Sequence, residues 1–244
     1  MTSPAMSNAA MTSPAVIVMA RAPRLGEGKT RLRGALSAEA CLQLQQAFLN
    51  DAVQVALEAD LGSVYLAVTP ASAAGQATAE YAGRATVIPQ ESDGLGERML
   101  AALQRVESAG HTPLVMIGTD APLLLPGHLR AAVRELDTLD LCLGPCADGG
   151  YYLLAGRTPQ PRLFERVDWG TSAVLASTLR NAKAAGLRVS LLDTLYDVDT
   201  PTDLDLLRAD LATLDFAARG WTPEHTLHML VPQLQVHAEV KALS

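Results

Sequence analysis

Short apolar runs rich in β-branched residues alternate along the chain with longer stretches in which apolar positions recur every three or four residues. The first pattern is typical of buried strands and the second of amphipathic helices. Predicted strands lie at 16–21, 63–69, 85–89, 113–118, 140–144, 151–155 and 187–193. Predicted helices lie at about 37–59, 72–82, after Gly94 to near Gly110, 126–136, 172–185 and after Pro201. The predicted fold class is α/β, with a Rossmann-like, mainly parallel sheet and helices on both faces.

The run PLVMIG at 113–118 is apolar throughout, which is typical of a central strand buried on both faces. No Pro/Ser-rich linker interrupts residues 15–213, so we expect them to form one domain. Residues 1–14 repeat the segment MTSPA and are predicted to be a disordered tail, in which Met11 is a candidate second start. Residues 214–244 are predicted to form a C-terminal helical extension.

Composition narrows the classes of partner. The chain is 49% hydrophobic with a formal net charge of −7, which is typical of a packed globular protein and provides no basic face for nucleic acid. The apolar run 16–20 is far too short to span a bilayer, so we expect no membrane partner and a cytoplasmic location. Three cysteines form no paired framework and are expected to be reduced thiols. Nothing in the sequence selects an oligomeric state.

Residues 21–33, RAPRLGEGKTRLR, hold five cations against one anion. Such a local patch suits a small polyanion, and it follows directly after the first predicted strand. Gly26 and Gly28 permit close backbone approach, while Arg21, Lys29 and Arg31 offer charge to phosphate oxygens. The pattern predicts a nucleotide-phosphate site, with a plain solvated basic loop as the alternative.

The tripeptide Gly28-Lys29-Thr30 also matches the end of the phosphate loop of NTPases, Gly-x4-Gly-Lys-Thr. That pattern requires glycine at position 23, where the chain has Pro23, and the following residues 31–34 do not begin a helix cleanly. A phosphate-loop NTPase is therefore the weaker alternative.

Two further segments carry candidate carboxylates, one after the strand at 113–118 and one before the helix that starts near Pro201. Asp120 ends the buried strand, where a carboxylate can hold a hard cation or cap the next turn. Asp199 or Thr200 can cap the helix that starts near Pro201, and capping does not prevent Asp199 from binding metal. Asp148-Gly149-Gly150 before Tyr151 predicts a turn between two strands, and it also leaves room for a sugar or acceptor.

His225 and His228 have the i,i+3 spacing of two ligands on one helix face. No cysteine or third histidine has matching spacing, so a metal site there is the weaker interpretation.

Six motifs in chain order resemble a known family: ARAPRLGEGKTRL (20–32), LGERM (95–99), GTDAPLL (118–124), GPCADGGYYLLA (144–155), DWGT (168–171) and DVDTPTDL (197–204). They resemble bacterial nucleotide-diphospho-sugar transferase-like proteins of the GT-A type, some associated with radical-SAM and selenium or arsenosugar gene sets. The resemblance covers about residues 15–210. KTRLRGALS is also similar to 2-phospho-L-lactate guanylyltransferases, and GTDAPLL to molybdenum-cofactor guanylyltransferases.

The resemblance implies a GT-A fold and a transferase that uses Mg²⁺ (or Mn²⁺) and a small nucleotide or nucleotide-sugar substrate. Lys29 and Arg31 would hold phosphates, and Asp120 and Asp199 would bind the metal. The expected catalytic residues are Asp120, Lys29 and Asp148, and the expected substrate-binding residues are Arg21, Gly26, Gly28, Lys29, Arg31, Gly149, Gly150 and Tyr151.

Two departures from these relatives keep alternatives open. Ala22-Pro23 replaces the usual glycine-rich opening of nucleotidyltransferases, and residues 118–120 lack the Asp-x-Asp of glycosyltransferases. The loop chemistry favours nucleotidyl transfer from a nucleoside triphosphate, and the family resemblance favours glycosyl transfer from a nucleotide sugar. A non-catalytic nucleotide-binding module is a further alternative.

Overall fold

The computed structural model describes residues 13–230. Seven strands form one sheet in the order β3-β2-β1-β4-β6-β5-β7. They are β1 (Ala15–Arg21), β2 (Ser63–Thr69), β3 (Thr86–Pro89), β4 (Leu114–Ile117), β5 (Leu141–Pro145), β6 (Tyr151–Gly156) and β7 (Val189–Leu191). Only β6 runs antiparallel to its neighbours β4 and β5, and the other pairings are parallel. The predicted α/β class with a mainly parallel sheet is confirmed.

The α-helices are α1 (Ala38–Glu58), α2 (Ala74–Glu80), α3 (Leu95–Ser108), α4 (Pro126–Glu135), α5 (Val174–Ala184), α6 (Pro201–Thr213) and α7 (Phe216–Arg219). Residues 224–230 are also helical. Successive residues of β1 point to opposite faces of the sheet. Val16 and Val18 pack with α1 and α4, whereas Ala15 and Ile17 pack with α3 and α5. Helices therefore cover both faces, as predicted.

The apolar run at 113–118 forms the middle strand of the sheet, β4, as predicted. All four of its residues are buried, because helices cover it on both sides. Ser37 caps α1 by accepting a hydrogen bond from the backbone N–H of Ala40. Gly110 has φ +93°, the left-handed conformation predicted near the C-terminal end of α3.

The seventh strand is shorter than its apolar pattern predicts, covering 189–191 instead of 187–193. Beyond it the chain stays beside β5 only through separate contacts, including a hydrogen bond from the N–H of Leu195 to the carbonyl oxygen of Pro145. These contacts bring the chain back to the sheet edge where the acidic segment 197–199 lies.

The segment after α6 packs against α1. The buried carboxylate of Asp51 accepts hydrogen bonds from the backbone N–H groups of His225 and Thr226 and from the Thr226 hydroxyl. Trp221 is buried in the same core cluster as α1. The domain boundaries at 14/15 and 213/214 stay predictions, since residues 1–12 and 231–244 lie outside the described residues.

Among residues 13–230, no helix combines the length and the apolar character that crossing a membrane requires.

Candidate active site

A cavity of about 500 Å³ opens at the edge of the sheet where β1, β4 and β5 end and β6 begins. Ligands of open parallel sheets bind at this edge, because the loops after the strands converge there. Most of the expected site residues line it: Arg21, Gly28, Lys29, Arg31, Asp120, Asp148, Gly150, Tyr151 and Asp199. The sequence expectation that these segments meet at one site agrees with the geometry.

The basic loop owes its shape to residues in the left-handed conformation. Gly26 and Gly28 have φ values of +82° and +75°, which glycine adopts without strain, and Lys29 has a φ value of +44°. The φ of Gly28 favours glycine at that position, and a Cβ atom there would also lie 2.7 Å from the side-chain oxygen of Gln45, which would have to move. The guanidinium of Arg33 closes the loop by donating to the carbonyl oxygen of Gly26.

The loop does not continue into an α-helix as a phosphate loop does. Thr30–Gly34 forms a 3-10 helix, and α1 begins only at Ala38. This geometry argues against the phosphate-loop NTPase alternative.

Lys29 joins the two carboxylates that were expected to bind metal. Its Nζ lies 2.5 Å from Oδ1 of Asp120 and 2.9 Å from Oδ1 of Asp199, and it donates to the carbonyl oxygen of Val198 at 2.8 Å. A backbone hydrogen bond from Val198 to Asp120 ties the two acidic segments together. Burial lowers the pKa of Lys29, but attraction to both carboxylates outweighs it and leaves the pKa raised. The ammonium is therefore charged.

A second acidic group lies next to this pair. The ligand atoms of Cys146, Asp148 and Asp197 lie within 4.8 Å of one another, and among residues 13–230 they form the one such set of three metal-capable side chains. The Cys146 thiol donates to Oδ1 of Asp197 at 3.0 Å, and the backbone N–H of Gly150 donates to Oδ1 of Asp148 at 2.8 Å. The pair His225 and His228, the weaker metal-site interpretation of the sequence, does not belong to this set.

The pKa values of two groups in this cluster, the partly buried Asp197 and the buried Cys146, are strongly perturbed. Burial raises the pKa of Asp197 to about 6, helped by repulsion from Asp120, Asp148 and Asp199, although the hydrogen bond from Cys146 opposes the rise. Burial and the nearby Asp197 also raise the pKa of the Cys146 thiol, so that it stays protonated and serves as a donor. Perturbed carboxylates in a cleft are typical of functional sites.

The Asp148–Gly150 turn interlocks with the segment before α5. Gly149 has φ +92°, and a Cβ atom there would lie 2.2 Å from the carbonyl oxygen of Ser172. The N–H of Leu175 also donates to the carbonyl oxygen of Gly149 at 2.9 Å. Only glycine permits this backbone approach, which explains the glycine at position 149.

An aromatic group forms the wall beside α3. Trp169 lies across Gly96, where a Cβ atom would be 2.8 Å from the indole ring, and it contacts Phe164 and Tyr151. This packing brings the LGERM and DWGT motifs together, which sequence reasoning did not find. The contacts of Cys146 with Asp197 and of Gln45 with Gly28 were also not predicted, because they join residues distant in sequence. Asp197 had a visible signal in the sequence, since it stands two residues before Asp199.

Comparisons with known proteins found a matching family model and similar solved structures. The family model DUF2064, an uncharacterized protein conserved in bacteria, matches residues 52–171. No curated protein has significant similarity to the chain. A crystal structure assigned as a nucleotide-diphospho-sugar transferase from Desulfovibrio desulfuricans G20 is 26% identical with a TM-score of 0.82, and covers 92% of this chain and 98% of that chain.

Two more distant structures share the fold. Rv0371c from Mycobacterium tuberculosis H37Rv, in complex with manganese, is 20% identical with a TM-score of 0.52 and covers 80% of this chain and 98% of that chain. CMP:2-keto-3-deoxy-manno-octonic acid synthetase, complexed with CTP, is 17% identical with a TM-score of 0.52, over 82% and 99%. The resemblance to nucleotide-diphospho-sugar transferases is thereby confirmed: the chain is similar to the Desulfovibrio protein assigned to that class, which supports an enzyme of the transferase kind, and the two more distant structures show the shared fold alone.

Proposed function

We propose that the protein is a nucleotidyltransferase that depends on a divalent cation and transfers a nucleoside monophosphate unit from a nucleoside triphosphate to a small acceptor. One observation carries this proposal. Two half-exposed carboxylates, Asp120 and Asp199, both contact the ammonium group of Lys29. They lie beside the exposed arginines Arg21 and Arg31 in a cavity large enough for a nucleotide.

The residues present fit Mg²⁺ or Mn²⁺. Both carboxylates already share a positive group, and hard oxygen ligands are those that these metals prefer. Asp148 and Asp197 supply further oxygens nearby. When bound, the metal would neutralise charge on the phosphate oxygens. The manganese complex of Rv0371c, which has the same fold, supports this choice.

The other residues position the substrate. Arg21 and Arg31 are exposed at the cavity and would hold phosphate oxygens, since a guanidinium binds two oxygens at once. In the reaction an acceptor oxygen forms a bond to the α-phosphorus, the bond to the bridging oxygen breaks, and pyrophosphate leaves. Asp148 is exposed beside the cavity, where its second oxygen would accept a hydrogen bond from an acceptor hydroxyl. Catalysis would rest on positioning and electrostatics rather than on a protein nucleophile.

Glycosyl transfer from a nucleotide sugar is the second candidate. The structural neighbour with 26% identity is assigned as a nucleotide-diphospho-sugar transferase, which favours it. The two reactions use the same metal and phosphate groups, but they release different products. Nucleotidyl transfer releases pyrophosphate, whereas glycosyl transfer from a nucleotide sugar releases a nucleoside diphosphate or monophosphate.

Ligand-dependent thermal unfolding tests the proposal. Each nucleoside triphosphate and common nucleotide sugar is added with Mn²⁺, with Mg²⁺ and with EDTA. A ligand at about 100 times its Kd adds roughly 2.7 kcal/mol of stability. We expect the largest metal-dependent stabilisation from one triphosphate, and we expect Asp120→Asn to abolish its metal dependence.

The matched control is Asp205→Asn, which removes the same charge from an exposed position on α6. A metal-dependent shift with a nucleotide sugar alone would favour glycosyl transfer. Stabilisation that is equal with metal and with EDTA would indicate a non-catalytic nucleotide-binding module.

A further inference from the structure

The ammonium of Lys29 has a full set of protein partners. Its three hydrogens match three acceptors: Oδ1 of Asp120, Oδ1 of Asp199 and the carbonyl oxygen of Val198. The Lys29 side chain is 5% exposed, and its Nζ also lies 5.4 Å from the centre of the Phe48 ring. No hydrogen of this ammonium is left for a phosphate while these contacts last.

The two carboxylates lie differently from the lysine. Their side chains are 48% and 46% exposed, for Asp120 and Asp199 respectively, so both are accessible from the cavity. They are also the groups proposed to hold the divalent cation. A divalent cation bound to the carboxylate oxygens of Asp120 and Asp199 would lie within a few ångströms of the Lys29 ammonium, where the repulsion between the two positive charges is strong.

We propose that Lys29 and the divalent cation exclude one another at Asp120 and Asp199, so that the metal binds tightly only when nucleotide phosphates draw Lys29 away. This inference rests on the proposed function and describes how its metal site is regulated. Gly26, Gly28 and Lys29 itself have left-handed backbone conformations in the loop from which the Lys29 side chain reaches both carboxylates. Nucleotide and metal then bind cooperatively, each strengthening the other by the same factor.

If Lys29 competes with the metal, its removal should raise the affinity for Mn²⁺ in the absence of nucleotide. Lys29→Met removes the competing charge, so we expect it to bind Mn²⁺ at least tenfold more tightly than the wild type does. If Lys29 served only as a phosphate ligand, the variant would bind Mn²⁺ alone as the wild type does. Nucleotide should raise the Mn²⁺ affinity of the wild type by a larger factor than that of the variant.

Mn²⁺ titration followed by electron paramagnetic resonance measures these affinities directly. Arg24→Met is the matched control, because it removes an equal charge from the same loop at an exposed position, and it should leave the Mn²⁺ affinity within about twofold of wild type. In the double variant Lys29→Met/Asp120→Asn the gain should disappear, which assigns it to this carboxylate pair.

A second measurement needs no variant. Reductive methylation followed by peptide mass spectrometry reports how accessible each lysine is, and the exposed Lys183 provides an internal standard. Lys29 should be methylated slowly in the free protein, and saturating Mn²⁺ should increase its labelling while Lys183 stays unchanged. This result stands even where Lys29→Met does not fold.

The outcomes separate this inference from the proposed function. Equal, tight Mn²⁺ binding by the wild type and Lys29→Met, with Lys29 still protected from labelling, would overturn the exclusion and leave the metal-dependent function standing. Failure of every variant to bind Mn²⁺, with or without nucleotide, would overturn both.

Discussion

Asp197 should make the protein less stable at high pH, and Asp197→Asn should remove this cost. The side chain is partly buried near three other carboxylates, and its pKa is raised from 3.8 to about 6, mainly by burial. Because the native state holds this proton more tightly than the unfolded state does, stability falls as pH rises from about 4 through about 6. At 1.36 kcal/mol per pH unit, the loss above this window is about 3 kcal/mol.

Urea unfolding at pH 4.5, 6 and 8, with EDTA present, measures the effect. Asparagine keeps the oxygen that accepts from Cys146 but cannot ionise. We therefore expect Asp197→Asn to be more stable than the wild type by up to about 3 kcal/mol at pH 8, with the difference shrinking toward pH 4.5. Asp205→Asn is the control and should change stability little at any pH. An Asp197→Asn variant no more stable than the wild type at pH 8 would refute the reasoning.

Two further predictions concern the backbone around the site. Gly149→Ala should lower the free energy of unfolding by at least about 2 kcal/mol, because φ is positive there and the new Cβ atom would meet the carbonyl oxygen of Ser172. The same variant should show smaller ligand-induced thermal shifts. An unchanged unfolding temperature would contradict this. Asp51→Ala should lower the free energy of unfolding, measured in urea, by about 2–4 kcal/mol, because two N–H groups and the Thr226 hydroxyl lose their acceptor. A loss below about 0.5 kcal/mol would show that water replaces the carboxylate.

The strand and helix pattern was readable from the sequence because hydrophobic periodicity depends on local geometry. The continuous apolar run of β4 predicted a strand buried on both faces, and the structure places it in the middle of the sheet. Ser37 and Gly110 marked the ends of helices through their own backbone preferences. The convergence of Lys29, Asp120 and Asp199 followed from a topological rule about strand ends.

The contacts inside the site were not readable in the same way. The pairing of Lys29 with both carboxylates joins segments 91 and 170 positions away from it, and no local pattern encodes it. The same holds for the thiol of Cys146, which donates to Asp197 across 51 positions. Side-chain burial also decides the pKa of Asp197, and burial depends on the complete packing of the chain.

Transfer of a labelled nucleotide tests the central claim most directly. The protein is incubated with Mn²⁺, a metabolite extract as the source of acceptors, and either a nucleoside triphosphate labelled at the α-phosphate or a nucleotide sugar labelled in the sugar. The account predicts that the α-phosphate label enters a new product with release of pyrophosphate, and that Asp120→Asn forms none of it. Transfer of the sugar label without transfer of the α-phosphate label would contradict nucleotidyl transfer.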